Sequence, residues 1–71
     1  MAVELIYVDS SNVEQIGYDE RERELHVVFK SGRHYIYSDV PEEVYGNFID
    51  ASSKGAYLNS TIKDSYPFRE L

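Results

Sequence analysis

Three groups of residues in this 71-residue chain have types and spacings that could do chemistry. Ser53-Lys54-Gly55 combines a helix-capping hydroxyl, a cation and a residue without Cβ. At the start of a helix, where backbone N–H groups lack partners, such a triplet can hold a phosphate or carboxylate. Asn59 and Lys63 follow on the same segment, and Tyr57 beside them fits either a stacking contact or the core. Tyr35 and Tyr37 alternate on a strand, a spacing with which paired rings can stack nucleobases or fill a core. His26 and His34 lie on either side of a predicted turn, close enough to share a face but too few to hold zinc without further ligands.

Catalysis finds little support. Ser10-Ser11 in a turn has no base beside it in sequence and lacks the surroundings of a known nucleophile motif. Glu42 and Glu43 adjoin on a helix, point in different directions, and suit the positive end of its dipole better than acid–base work. The run Asp19 to Glu24 alternates acid with arginine, as a solvated turn does. No catalytic residue, metal ligand set or cofactor motif is assigned, and the chain is expected to be a non-enzymatic binding protein.

Charge narrows the partner. The formal net charge is −6, which repels nucleic acid and anionic membrane at long range. The distribution is uneven: residues 1–51 carry four basic and eleven acidic side chains, residues 52–71 three basic and two acidic. An anionic partner therefore approaches the C-terminal segment, through Lys54, Lys63 and Arg69, with Lys30 and Arg33 at a hairpin tip as a second contact. A protein partner on an apolar patch is the alternative, and the charge favours it. The absence of cysteine fits a reducing compartment, and Met1 to Val8 has neither a basic start nor an apolar run for a leader or membrane span. A cytoplasmic location with no membrane association is expected.

The elements that must position these residues follow from periodicity. One domain, residues 1–71, is expected, and with no disulfides to help it must gain stability from its ten aromatic rings. Leu25, Val27 and Phe29 alternate before Ser31-Gly32, and His34 to Tyr37 follows, so a hairpin is predicted. Glycine in second place suits neither two-residue turn well. A three-residue loop, Lys30 to Gly32, with Gly32 left-handed opposes Val27 to Tyr35 and Leu25 to Tyr37. It gathers Leu25, Val27, Phe29, Tyr35 and Tyr37 on one apolar face and leaves His26, Val28, Lys30, His34 and Ile36 on the other, where Val28, Ile36 and the two histidines form the patch a protein partner would use.

Val13 to Tyr18 supplies a third strand, and Leu5 to Val8 is a further extended piece whose pairing the sequence leaves open. Pro41 in a first turn behind Asp39 or Val40 opens a helix with an apolar stripe of Val44, Tyr45, Phe48 and Ile49, in which Gly46 implies a close contact. A second helix, capped by Ser52 or Ser53, runs through Ile62 and stops before Pro67. The expected fold class is α+β, a small three-stranded antiparallel β-meander followed by two helices packed on one sheet face.

The succession Ser10-Ser11, Ile16-Gly17-Tyr18-Asp19, Leu25-x-Val-x-Phe29, Ser31-Gly32, Tyr35-x-Tyr37, Val40-Pro41, then Ser53-x-Gly-x-Tyr57-x-Asn59-x-x-Ile62 resembles the KTSC domain, found at the C-terminus of some lysyl-tRNA synthetases. The resemblance spans roughly residues 8–66. It implies a stand-alone bacterial domain of this size and, through the synthetase association, contact with RNA, either tRNA or a single strand. Tyr35-x-Tyr37 is the family's signature pair.

Overall fold

The computed structural model describes residues 3–71, so Met1 and Ala2 of the expected leaderless start lie outside the described residues. The fold is α+β, but its antiparallel sheet has five strands rather than three. These are β1 (Ile6–Tyr7), β2 (Val13–Asp19), β3 (Glu24–Phe29), β4 (His34–Tyr37) and β5 (Phe68–Glu70), in sheet order β1-β2-β3-β4-β5. The three predicted strands form its middle. The two additions are its short edges, β1 settling the pairing of the Leu5 to Val8 piece through Ile6↔Ile16 and Tyr7↔Gln15. Strand β5 follows Pro67, too short to announce itself by alternation.

The β3–β4 hairpin has the bulged register. Gly32 is left-handed at φ 98°, its N–H donates to the Phe29 carbonyl at 2.9 Å, and the Phe29 N–H donates to Arg33 at 2.8 Å. Pairings Leu25↔Tyr37, His26↔Ile36, Val27↔Tyr35 and Val28↔His34 follow. One turn residue thus decides which two of the four β4 side chains, Tyr35 and Tyr37, look toward the helices.

The β2–β3 turn is closed by Asp19, whose Oδ1 accepts from the N–H groups of Arg21 (3.0 Å) and Glu22 (3.1 Å), while Arg23 is left-handed at φ 58°. The Arg23 carbonyl then accepts from the Val40 N–H at 2.9 Å, which ties this turn to the start of the helical half.

Helix α1 (Glu42–Asp50) begins one residue later than expected. Pro41 is itself the N-cap, extended at φ −65°, because Asp39 is left-handed (φ 59°) and its side chain does not cap the helix. Glu42 and Glu43 occupy the first turn, near the positive end of the dipole. Helix α2 (Lys54–Tyr57) is capped by Ser53 and runs directly into a π-helical turn, Leu58–Ile62. There the Lys63 N–H reaches back five residues to Leu58 at 2.8 Å, where an α-helix would reach four.

Both helices cover the same sheet face. Val13, Ile16, Leu25, Val27, Tyr37 and Val40 pack there against Phe48 of α1 and Leu58 and Ile62 of the π-turn. Gly46 does not make the close contact expected of it: a Cβ built there has no neighbour within 4 Å, and the residue is exposed. It carries only the conformational penalty of glycine in a helix, so Gly46→Ala should stabilise the domain by up to about 1 kcal/mol in urea melts.

Candidate functional site

The residues proposed for an anion or RNA site fall into two groups. At one end of the molecule the start of α2 and the β3–β4 hairpin tip both meet Asn12. The Ser53 hydroxyl accepts from the Ala56 N–H at 3.2 Å, so its capping role is filled from within the chain. A Cβ on Gly55 would sit 2.9 Å from the Asn12 side-chain oxygen, so α2 packs against the loop before β2 closely enough that any larger residue would push that side chain aside. That oxygen also accepts from the Ser10 hydroxyl at 3.2 Å, and the Asn12 carbonyl accepts from the Lys30 N–H at 2.9 Å. Lys30 and the Ser53-Lys54-Gly55 triplet are therefore neighbours through Asn12. Sequence reasoning passed over that residue, although Ser10-Ser-Asn12 is a turn signal with side chains suited to such bonds.

Lys54 does not project freely. Its ammonium donates to the Ala51 carbonyl at 2.7 Å, just past the end of α1, where a cation offsets the negative end of the dipole. Asn59, within the π-turn, and Lys63, just after it, are exposed. Among the described residues neither Lys30 nor Lys63 takes part in an ion pair.

The other two cations are placed elsewhere. Arg33 pairs with Glu70 at 3.3 Å, across β4 and β5. Arg69 belongs to β5, not to the helical segment: it opposes Ile36, faces away from the helices, and binds Glu24 through two contacts of 3.0 and 3.4 Å. The run Pro67-Phe-Arg-Glu leaves the helix and returns to the sheet, which carries Arg69 to the opposite side of the molecule from Lys63.

Tyr35 and Tyr37 turn toward the helices, as the hairpin register requires. Tyr37 is 2% exposed, and burial, with Tyr35 nearby, pushes its hydroxyl above the usual tyrosine range. Tyr35 is half-buried. It meets Phe29 edge-on at 5.3 Å and lies against Phe68 at 5.0 Å, and Phe68 also reaches Tyr37 at 5.5 Å. The ring that closes over the pair comes from β5 and is itself 53% exposed. A second aromatic pair, Tyr18 on Tyr45 at 5.1 Å, joins β2 to α1, and the Tyr18 hydroxyl donates to the Val40 carbonyl at 2.5 Å. Burial raises both hydroxyls above their ordinary range.

The open sheet face is less open than its sequence implies. Residues 3–5 cross it at Gly17, where a Cβ would lie 2.6 Å from the Glu4 carbonyl oxygen. Ile36 is only 3% exposed, between His26 on β3 and Arg69 on β5, and Val28 is half-buried. The apolar side chains that do reach solvent are Ile6 and Tyr7 on one edge, Phe68 and Leu71 on the other, and Ile49 on α1. His26 and His34 meet diagonally, His26 Nδ1 lying 2.9 Å from His34 Nε2 with the rings at 68°. Burial, and then the charge of His34, lowers the His26 pKa.

The KTSC domain family matches residues 9–66 of this sequence. The chain belongs to that family. The crystal structure of a KTSC domain protein from Yersinia pestis superposes with a TM-score of 0.93 at 37% identity, covering 99% of both chains. A protein of Tsukamurella paurometabola is 37% identical over 59 residues, which are 83% of this chain and 88% of that one. A lysine–tRNA ligase of Nostoc punctiforme is 32% identical over all 71 residues, which make up 13% of the ligase. The KTSC fold thus occurs both in proteins of about this size and as a small part of a much larger one.

The Ser10 hydroxyl donates to Asn12 and accepts from the N–H groups of Asn12 and Val13, so it serves its own turn. Among the described residues no three histidine or acidic side chains are grouped to hold a metal. A cleft of about 440 Å³, between residues 3–4 and the β2–β3 turn, is lined by Tyr18 and by Asp19 through Glu22. No helix of the described residues is long and apolar enough to cross a membrane.

Proposed function

We propose that this KTSC domain is a non-catalytic binding module of the cytoplasm that contacts RNA, as tRNA or a single strand, at the end where Lys30 and the start of α2 meet on Asn12. The observation that carries the reading is this convergence: the hairpin tip and the α2 cap are far apart in sequence, yet both meet one residue, Asn12, the first at its backbone carbonyl and the second at its side chain. Asn59 and Lys63 lie further along the helical segment, and among the described residues Lys30, Lys54 and Lys63 take part in no ion pair. The lysine–tRNA ligase that matches the whole chain supports an RNA partner.

The geometry shifts the expected contacts from Lys54, which is bonded to α1, and Arg33 and Arg69, which are paired with acids, toward Lys30 and Lys63. In an NMR titration with tRNA and with short single-stranded RNA, the largest shifts should fall on Asn12, Lys30, Gly55 and Lys63. Lys30→Glu with Lys63→Glu should weaken binding at least about tenfold and flatten its salt dependence, each phosphate contact contributing close to one unit of slope. Equal affinity of the double variant would refute the assignment. Affinity that ignores salt would instead favour a protein partner, to which the open sheet face offers half-buried Val28 and little of Ile36.

A further inference from the structure

The His26–His34 contact is the one polar link on the sheet face turned away from the helices that joins two titratable rings. At 2.9 Å between nitrogens, one ring must present an N–H and the other a lone pair. Two protonation states satisfy that requirement. With both rings neutral, either one donates; with one imidazolium, the charged ring donates and the neutral ring accepts. A second proton removes the only lone pair in the contact, and two cationic N–H groups then face each other.

We propose that His26 and His34 act as one proton-binding unit, a pH-sensitive latch across β3 and β4 that tolerates a first proton and is opened by a second.

The surroundings set where the second proton binds. His26 stands on β3 two residues after Glu24, whose partner across the ladder is Asp19 of β2. Both acids favour a charged ring. Burial opposes it most, then a charged His34, and least Arg69 of β5, which is bonded to Glu24, and the balance lowers His26. From the remaining neighbours, residues 3–5 bring a backbone carbonyl over Gly17, and Leu71 donates its N–H to the His34 carbonyl at 2.9 Å. His26 is thus held toward its neutral form. Its folded pKa lies below its unfolded one, so the native state binds fewer protons in that interval. The contribution to stability is present above the unfolded value of about 6.5 and is lost as pH falls toward the folded value.

The latch closes the middle of the sheet without help from the helical face. Opening it exposes Ile36, which lies between His26 and Arg69 across the ladder, and adds positive charge next to Arg69. Acidification therefore changes both the apolar exposure and the charge of this face.

The test is an NMR titration of the ring nitrogens of both histidines in the full chain, together with thermal melts from pH 7.5 downward. Coupled behaviour is expected: each ring's shifts report both proton steps, and the melting temperature drops through the second step. In His34→Gln the His26 midpoint should move up, since the charge opposing it is gone. Independent single-step curves in the wild type, or a His26 midpoint that does not move in His34→Gln, would overturn the proposal. If His34→Gln does not fold, the wild-type curves decide alone, because uncoupled rings cannot report each other's steps.

Discussion

Tyr37→Ala is expected to bring the domain close to its unfolding midpoint at 37 °C. The ring is 2% exposed, lies in the core formed by Leu25, Phe48 and Ile62, and touches Phe68 on the outside. Deleting a large buried aromatic side chain costs about 3–5 kcal/mol through lost burial and the cavity left behind. A domain of this length begins near the lower end of the usual 5–15 kcal/mol range, so little stability would remain. Tyr35→Ala should be milder, about 1–3 kcal/mol, because that ring is half-buried and lies toward the open side of the cluster. Urea melts of the two variants side by side check the ordering. Equal losses would mean that Tyr35 is as much a core residue as Tyr37, and a larger loss at Tyr35 would contradict the packing described above.

Gly17→Ala should cost about 1–3 kcal/mol by overpacking, although it adds a single methyl group. The new carbon would lie 2.6 Å from the Glu4 carbonyl oxygen, 2.8 Å from Leu5 Cδ2 and 2.9 Å from Val3 Cγ1. Side chains can rotate away from such a contact, but a backbone oxygen moves only if the segment lifts. The segment that must lift leads straight into β1, which is held by only two residue pairs. Amide exchange should therefore quicken at Ile6 and Tyr7 while Val27 and Tyr35, paired in the middle of the sheet, stay protected. A variant that melts like the wild type and keeps its β1 protection would show that residues 3–5 do not lie across Gly17.

What could be read in the residues beforehand depended on local rules with a single answer. Gly32 second in its loop excluded the tight turns, and the bulged alternative fixed the register, which in turn decided that Tyr35 and Tyr37 face the helices. Ser53 as a cap followed from its hydroxyl and the helical spacing after it. Features set by tertiary contact were not visible. Strand β5 is three residues long, and nothing in Phe-Arg-Glu marks it as a strand; it forms because β4 offers a free edge where the chain turns at Pro67. The helix-to-π transition at Leu58 leaves the apolar positions Leu58 and Ile62 buried, so periodicity could not separate it from an ordinary helix.

The candidate site divided in the same way. That Lys30 and the Ser53 triplet attract anions was a statement about residue type, but that they adjoin depends on Asn12, whose part needs the fold. Arg69 was grouped with the helix because it follows it in sequence, and the return to the sheet moved it to the far side. His26 and His34 were legible as diagonal neighbours from the hairpin register alone, whereas the sharing of a proton between them required side-chain geometry. Gly46 shows the opposite error, a glycine credited with a contact where the helix simply faces water.

The two outermost strands, with two and three residues, also bear on how copies of this protein behave in crowded solution. A free strand edge is a template on which another chain can add itself and start fibrous growth, and exposed Tyr7 and Phe68 would reward such addition. So few rungs give an incoming strand little to grip, and on the β5 side it would meet the charges of Arg69 and Glu70. Brevity at both borders thus works against edge-to-edge addition to an aromatic-rich sheet.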